Sequence, residues 1–112
     1  MAEGREKAPA YQVLDEAAVQ AALETLDGWA LVQDGLAITR SFRFTTFTEA
    51  FSFMTEAALL AEKINHHPEW SNVYGRVDVT LTTHATGGLT DLDIRMATTM
   101  NRAASRRMMR KN

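Results

Sequence analysis

One helix in this chain is fenced at both ends, and that fence constrains everything around it. Thr46-Phe47-Thr48-Glu49 is a capping box, which opens a helix by satisfying two orphan backbone donors reciprocally. Phe47, Phe51, Met54, Ala58, Ala61 and Ile64 then recur at three- and four-residue steps and predict an apolar stripe. Pro68 disfavours helical geometry at His67, so the helix should stop near Asn65. A helix of that length with one apolar face needs a partner layer to cover it.

The flanking segments supply that layer. Upstream, WALVQDGLAITRSFRF reads as a hairpin turning at Asp34-Gly35, with Leu36, Ile38, Phe42 and Phe44 on one face and Arg40 interrupting it. Downstream, WSNVY and RVDVTLTTH flank Gly75, and Val77, Val79 and Leu81 alternate with polar residues at a period of two. A first helix is expected over residues 15–27, capped by Asp15 and closed by Gly28. A last one starts near Thr90, where Thr90 and Asp93 form a box-like pair and Leu89 and Ile94 a hydrophobic staple. The expected fold is therefore α+β: a single domain ordered α-β-β-α-β-β-α. Its four-stranded antiparallel sheet carries the helices on one face.

At 112 residues the chain has room for one domain. The polar start MAEGREKAPA lacks the apolar stretch of a signal peptide. Residues 1–12 are expected to form a flexible tail and residues 13–112 the domain. A net charge of -2 argues against nucleic-acid binding as the main task. The absence of cysteine removes disulfides, thiolate nucleophiles and Cys-bound zinc, and suits a reducing cytoplasm, the expected location. No apolar run reaches the roughly 20 residues of a membrane span. The basic residues Arg95, Arg102, Arg106, Arg107, Arg110 and Lys111 read as a solvated helix face complementing a C-terminus. Gly87-Gly88 lacks the Lys and flanking pattern of a phosphate loop and reads as a turn. The Met-rich last helix reads as core or subunit interface.

The chemistry is concentrated in the histidines. The chain has three, His66, His67 and His84; two leave a helix end and one leaves a strand end. Such ends can converge on one rim of a sheet. Imidazole gives and takes protons near neutral pH, so a group of them around one pocket can supply both an acid and a base. Glu62 stands four residues before His66, on the same face of a continuing helix, and is placed to orient it. Two other readings stay open. Histidines at a helix C-terminus can simply complement its dipole. Glu62, His66 and His84 can also be read as metal ligands, although adjacent His66 and His67 are poor co-ligands for one ion. Asp93 fits a helix cap as well as a site, and Trp29, Trp70 and Tyr74 fit sheet packing as well as ligand contact.

Glu62, His66-His67-Pro68, Tyr74, His84 and Asp93, at these intervals, resemble the signature of the pterin-4a-carbinolamine dehydratases. The likeness runs through FSFMTEAALLAEKINHHPEWSNVYGRVDVTLTTH and GGLTDLDIRMA, and spans about residues 13–105. The resemblance implies loss of water from a 4a-hydroxytetrahydropterin to give a quinonoid dihydropterin. That step serves tetrahydrobiopterin recycling after an aromatic amino-acid hydroxylase. No cofactor and no metal is implied. His66, His67 and His84 match the family's catalytic histidines, with His66 and His84 exchanging protons and His67 mainly holding the pterin. Asn65, Thr82, Thr83 and Trp29 match substrate contacts, Trp29 as a cover for the flat ring, with Glu62 and Asp93 in support. The small-molecule pterin is the expected partner, without direct nucleic-acid or membrane binding. A homodimer joined sheet edge to edge, or a homotetramer built through helices, is implied as well. The same fold also serves non-catalytic relatives, as a transcriptional dimerisation cofactor or a Rubisco assembly factor; the complete histidine set favours the enzyme. Asn65 and Ala85 stand where some members carry Asp and Glu, which bears on rate and pH optimum rather than on the reaction.

Overall fold

The computed structural model describes residues 11–109. Three helices, α1 (Glu16–Leu23), α2 (Phe47–Ile64) and α3 (Asp91–Ser105), alternate with two hairpins. The hairpins are β1 (Ala30–Val32) with β2 (Ala37–Arg43), and β3 (Glu69–Val73) with β4 (Arg76–Leu81). The sheet is antiparallel throughout, in the order β1-β2-β4-β3. The expected α-β-β-α-β-β-α fold is the observed one. The first turn begins a residue earlier than the dipeptide signal suggests: Gln33, Asp34 and Gly35 all have positive φ. Leu36 consequently belongs to the turn and stays exposed, and the buried face of β2 begins beyond it.

Pleating puts Ile38, Phe42, Phe44, Val77, Val79 and Leu81 on the helix-covered face, and all are buried. Helix α2 answers with Ala50, Phe53, Ala57 and Ala61, and α3 with Met96, Ala97, Met100, Ala103 and Ala104. The many alanines let both helices lie close to the sheet and to each other. The ring of Phe53 sits 4.7 Å from Phe42 and 5.0 Å from Phe44, tying α2 to β2. The α2 stripe expected from the sequence needs correction. Phe47, Phe51 and Ala58 face outward, and the buried row is the neighbouring one of small residues around Phe53. Size misleads here: Ala50, Ala57 and Ala61 are buried beside Phe53, while the larger Phe47 and Phe51 lie on the outer face.

Three polar clasps tie the elements together. The Arg40 guanidinium lies 4.4 Å from the Phe42 ring centre and donates to the Asp27 carbonyl and to Asn101 Oδ1. Burial lowers its pKa, with the charge of Asp27 opposing. Near the C-terminus, Arg106 and Arg107 both reach Glu56. Burial would raise the Glu56 carboxyl, but these two hydrogen-bonded cations outweigh it and hold it below the ordinary carboxylate value. A carboxylate so lowered stabilises the fold at neutral pH, and that contribution is lost as acid protonates it. At the other end, Gln12 and Leu14 pair with the turn before α3, through Gln12 N to Asp91 Oδ1 (2.7 Å), Asp91 N to Gln12 O (3.1 Å) and Leu14 N to Leu89 O (3.1 Å). Gln12, assigned to the tail from sequence, is thus held in place; residues 1–10, Arg110 and Lys111 lie outside the described residues. No helix among the described residues is long and apolar enough to cross a membrane.

Candidate active site

The end of α2 decides where two histidines go. Asn65 takes the left-handed conformation (φ 53°, ψ 48°), which Asn tolerates better than most residues. The His66 N–H then closes back on the Ala61 carbonyl at 3.0 Å. This reversal swings His66 off the helical path and into the protein, where it is only 8% exposed. Its Nε2 lies 2.6 Å from Asp93 Oδ1. Asp93 is fully buried and occupies the third position of α3. Its second oxygen accepts the Thr90 N–H at 3.0 Å and the Thr83 hydroxyl at 2.8 Å. One carboxylate therefore caps a helix and fixes an imidazole. Asp93 accepts from Thr83 and Thr90 and acts as an acceptor toward His66 as well, which puts the proton of the neutral ring on Nε2 and leaves Nδ1 bare.

His67 stays at the surface. Its Nε2 meets Glu62 Oε1 at 2.9 Å, in a pair largely open to solvent. The expectation that Glu62 orients His66 is corrected: the helix ends at Ile64, so four-residue spacing no longer puts residues 62 and 66 on one face. His84 follows β4 in a tight loop closed by Thr83 N to Gly88 O at 2.9 Å. Its Nε2 lies 2.7 Å from Glu69 Oε2, and the ring is 79% exposed. All three imidazoles thus meet a carboxylate through Nε2.

Asn65, His66, His67, Thr82, Thr83 and His84 line one hollow of about 380 Å³, joined by Tyr11, Ala85 and Leu92. That volume lies within the roughly 300–1,000 Å³ of small-molecule sites. The threonine hydroxyls are committed inward, Thr82 to the Leu36 carbonyl at 2.6 Å and Thr83 to Asp93. Thr83 is taken up further: its hydroxyl also meets Thr90 Oγ1 at 2.8 Å, its N–H donates to the Gly88 carbonyl, and its own carbonyl accepts from Thr86 and Gly87. Of the two it is therefore Thr82 whose hydroxyl oxygen keeps accepting capacity for a ligand. Trp29 is not brought to this hollow. It is buried in the core, edge-on to Phe42 at 5.9 Å, and its Nε1 donates to Asn101 Oδ1 at 2.8 Å. Nor do Glu62, His66 and His84 converge on a common point; each is engaged with a different partner, and no three His, Asp or Glu side chains among the described residues form a metal cluster. Sequence reasoning missed Tyr11 and Glu69. Glu69 opens β3 opposite Thr80 of β4, and only the strand register shows that it can reach His84.

This is a two-layer α+β domain with a histidine-lined hollow at one end of its sheet. A family model described as pterin 4 alpha carbinolamine dehydratase matches residues 12–103, and the chain belongs to that family. A Rhizobium rhizogenes protein named "Putative pterin-4-alpha-carbinolamine dehydratase" is 57% identical over 87% of this chain and 96% of its own. One from Rhizobium johnstonii with the same name is 59% identical over 83% and 92%. A crystal structure from Brucella melitensis, described as a transcriptional coactivator/pterin dehydratase, superposes with a TM-score of 0.79 at 57% identity, covering 81% of this chain and 97% of that one. A pterin dehydratase-like protein described as a RuBisCO assembly factor of the α-carboxysome reaches a TM-score of 0.59 at 19% identity, over 69% of this chain and 89% of its own; that likeness is one of fold.

Proposed function

We propose that this chain is a 4a-hydroxytetrahydropterin dehydratase working by histidine acid/base catalysis. The observation that carries the reading is the gathering of three imidazoles, each held by its own carboxylate, around one hollow of small-molecule size. In the dehydration the 4a hydroxyl takes a proton and leaves as water, while a ring nitrogen gives one up; no redox partner is required. His66 and His84 exchange these protons, the neutral ring accepting and the charged ring donating. Asp93 and Glu69 offset the positive charge that appears on either ring. His67, steadied by Glu62, mainly holds the pterin, and Asn65 with Thr82 meets its polar edge, while Thr83 holds Asp93 from behind. The test is turnover of freshly generated 4a-hydroxytetrahydropterin, read above the spontaneous reaction. Wild-type protein is expected to accelerate water loss at sub-stoichiometric concentration. A rate equal to background rejects the assignment and favours a binding or assembly role, such as those named for the structural relatives.

A homo-oligomer belongs to the same proposal. Phe47, Phe51 and Leu59 stand half to two-thirds exposed along the outer face of α2, and β3 presents an unpaired sheet edge. An apolar row of this kind is unusual on a monomer surface. Light scattering is expected to give wild type a multiple of 12.5 kDa and Phe51→Asp a lower multiple. A wild-type monomer, or an unchanged mass in the variant, removes the α2 face from consideration.

A further inference from the structure

We propose that Tyr11 is the aromatic wall of the site, against which the flat bicyclic ring of the pterin stacks; this rests on the function proposed above. A planar heteroaromatic ligand gains most from a flat π surface beside its polar contacts. Trp29, the residue the sequence offers for that purpose, is sealed in the core and bonded to Asn101. Among the described residues lining the hollow, Tyr11 is the one carbocyclic aromatic; the rest of its non-imidazole surface comes from Asn65, two threonines, Ala85 and Leu92.

The placement of Tyr11 is built rather than incidental. The next residue, Gln12, exchanges two hydrogen bonds with Asp91, one through the Asp91 carboxylate at 2.7 Å and one from the Asp91 N–H at 3.1 Å. Val13 bridges Thr90, and the Leu14 N–H reaches Leu89. Residues 12–14 therefore run as a short strap along the turn that begins α3. That same turn supplies Leu92 to the hollow and Asp93 to His66. Tyr11 is thus indexed to the catalytic histidine through one rigid segment, although it sits far from the other site residues in sequence.

The test compares Tyr11→Ala, Tyr11→Phe and wild type in two measurements. These are dehydration kinetics, and calorimetric binding of an unreactive 7,8-dihydropterin. Stacking on an aromatic side chain is worth roughly 5- to 150-fold in affinity. Tyr11→Ala is expected to raise KM and Kd about 10-fold, with kcat within about 3-fold of wild type, and Tyr11→Phe to stay within about 2-fold in all three. An unchanged Kd and KM in Tyr11→Ala overturns the proposal. So does a Tyr11→Phe variant as impaired as Tyr11→Ala, because the hydroxyl and not the ring would then be in use. If wild type binds the dihydropterin but does not accelerate water loss, the dehydratase reading fails while the binding data still decide the role of Tyr11. If it neither binds nor turns over, both fall.

Discussion

His66→Ala is expected to lower kcat for dehydration by at least about 100-fold, the low end of what a positioned general acid or base contributes. His66 is the most buried of the three imidazoles, and its Nε2 is committed to Asp93. Its other nitrogen is therefore the one available for proton exchange with a ligand in the hollow. Alanine also strips Asp93 Oδ1 of its partner in a buried place, so lost activity could reflect lost structure. His66→Gln answers that, since an amide can still donate to Asp93 but cannot cycle a proton. Both variants should be inactive to the same degree, with His66→Gln the more stable in urea. His84→Ala should show a comparable loss in kcat, and His67→Ala a rise in KM, as each ring sits with its carboxylate on a more open wall. Rates must be corrected for spontaneous dehydration. If His66→Gln retained wild-type turnover, His66 would not be a proton carrier.

Much of this arrangement is legible before any coordinates. Capping boxes, a proline stop and period-two alternation are local signals, and local signals survive without tertiary context. They specify the order of elements, the turn after α2 and the Thr90–Asp93 cap. What the sequence cannot supply is register and direction. Glu62 and His66 are neighbours by helical arithmetic, yet one left-handed residue at Asn65 separates them and sends His66 to a carboxylate 27 positions away. Glu69 meets His84 only because β3 and β4 pair Glu69 with Thr80. Trp29 has the size and chemistry of a ligand cover, but Asn101 satisfies its N–H inside the core. Tyr11 belongs to a stretch with no periodic pattern, and its strap along α3 depends on backbone pairing that no motif announces.

Asp93→Asn should be the most informative single change, because it is nearly isosteric and reverses one hydrogen bond. Asp93 Oδ2 serves two donors, the Thr90 N–H and the Thr83 hydroxyl, while Oδ1 serves one, His66 Nε2. An asparagine satisfies the larger number by turning its carbonyl to the threonines and its NH2 to His66. Nε2 must then accept instead of donate, and the neutral ring carries its proton on Nδ1. The nitrogen left for the ligand is now occupied, so His66 can no longer take a proton there. The helix cap survives, and the cost to stability should stay at about 1.5–3 kcal/mol, the worth of one hydrogen bond to a charged group. The cost to kcat should reach at least about 100-fold, as expected when a catalytic imidazole is held in the wrong tautomer. Nitrogen-15 NMR of labelled histidine reads the tautomer directly and urea unfolding reads the cap. Full turnover in Asp93→Asn with the proton moved to Nδ1 would show that this carboxylate serves α3 alone, and that proton exchange in the hollow belongs to His84.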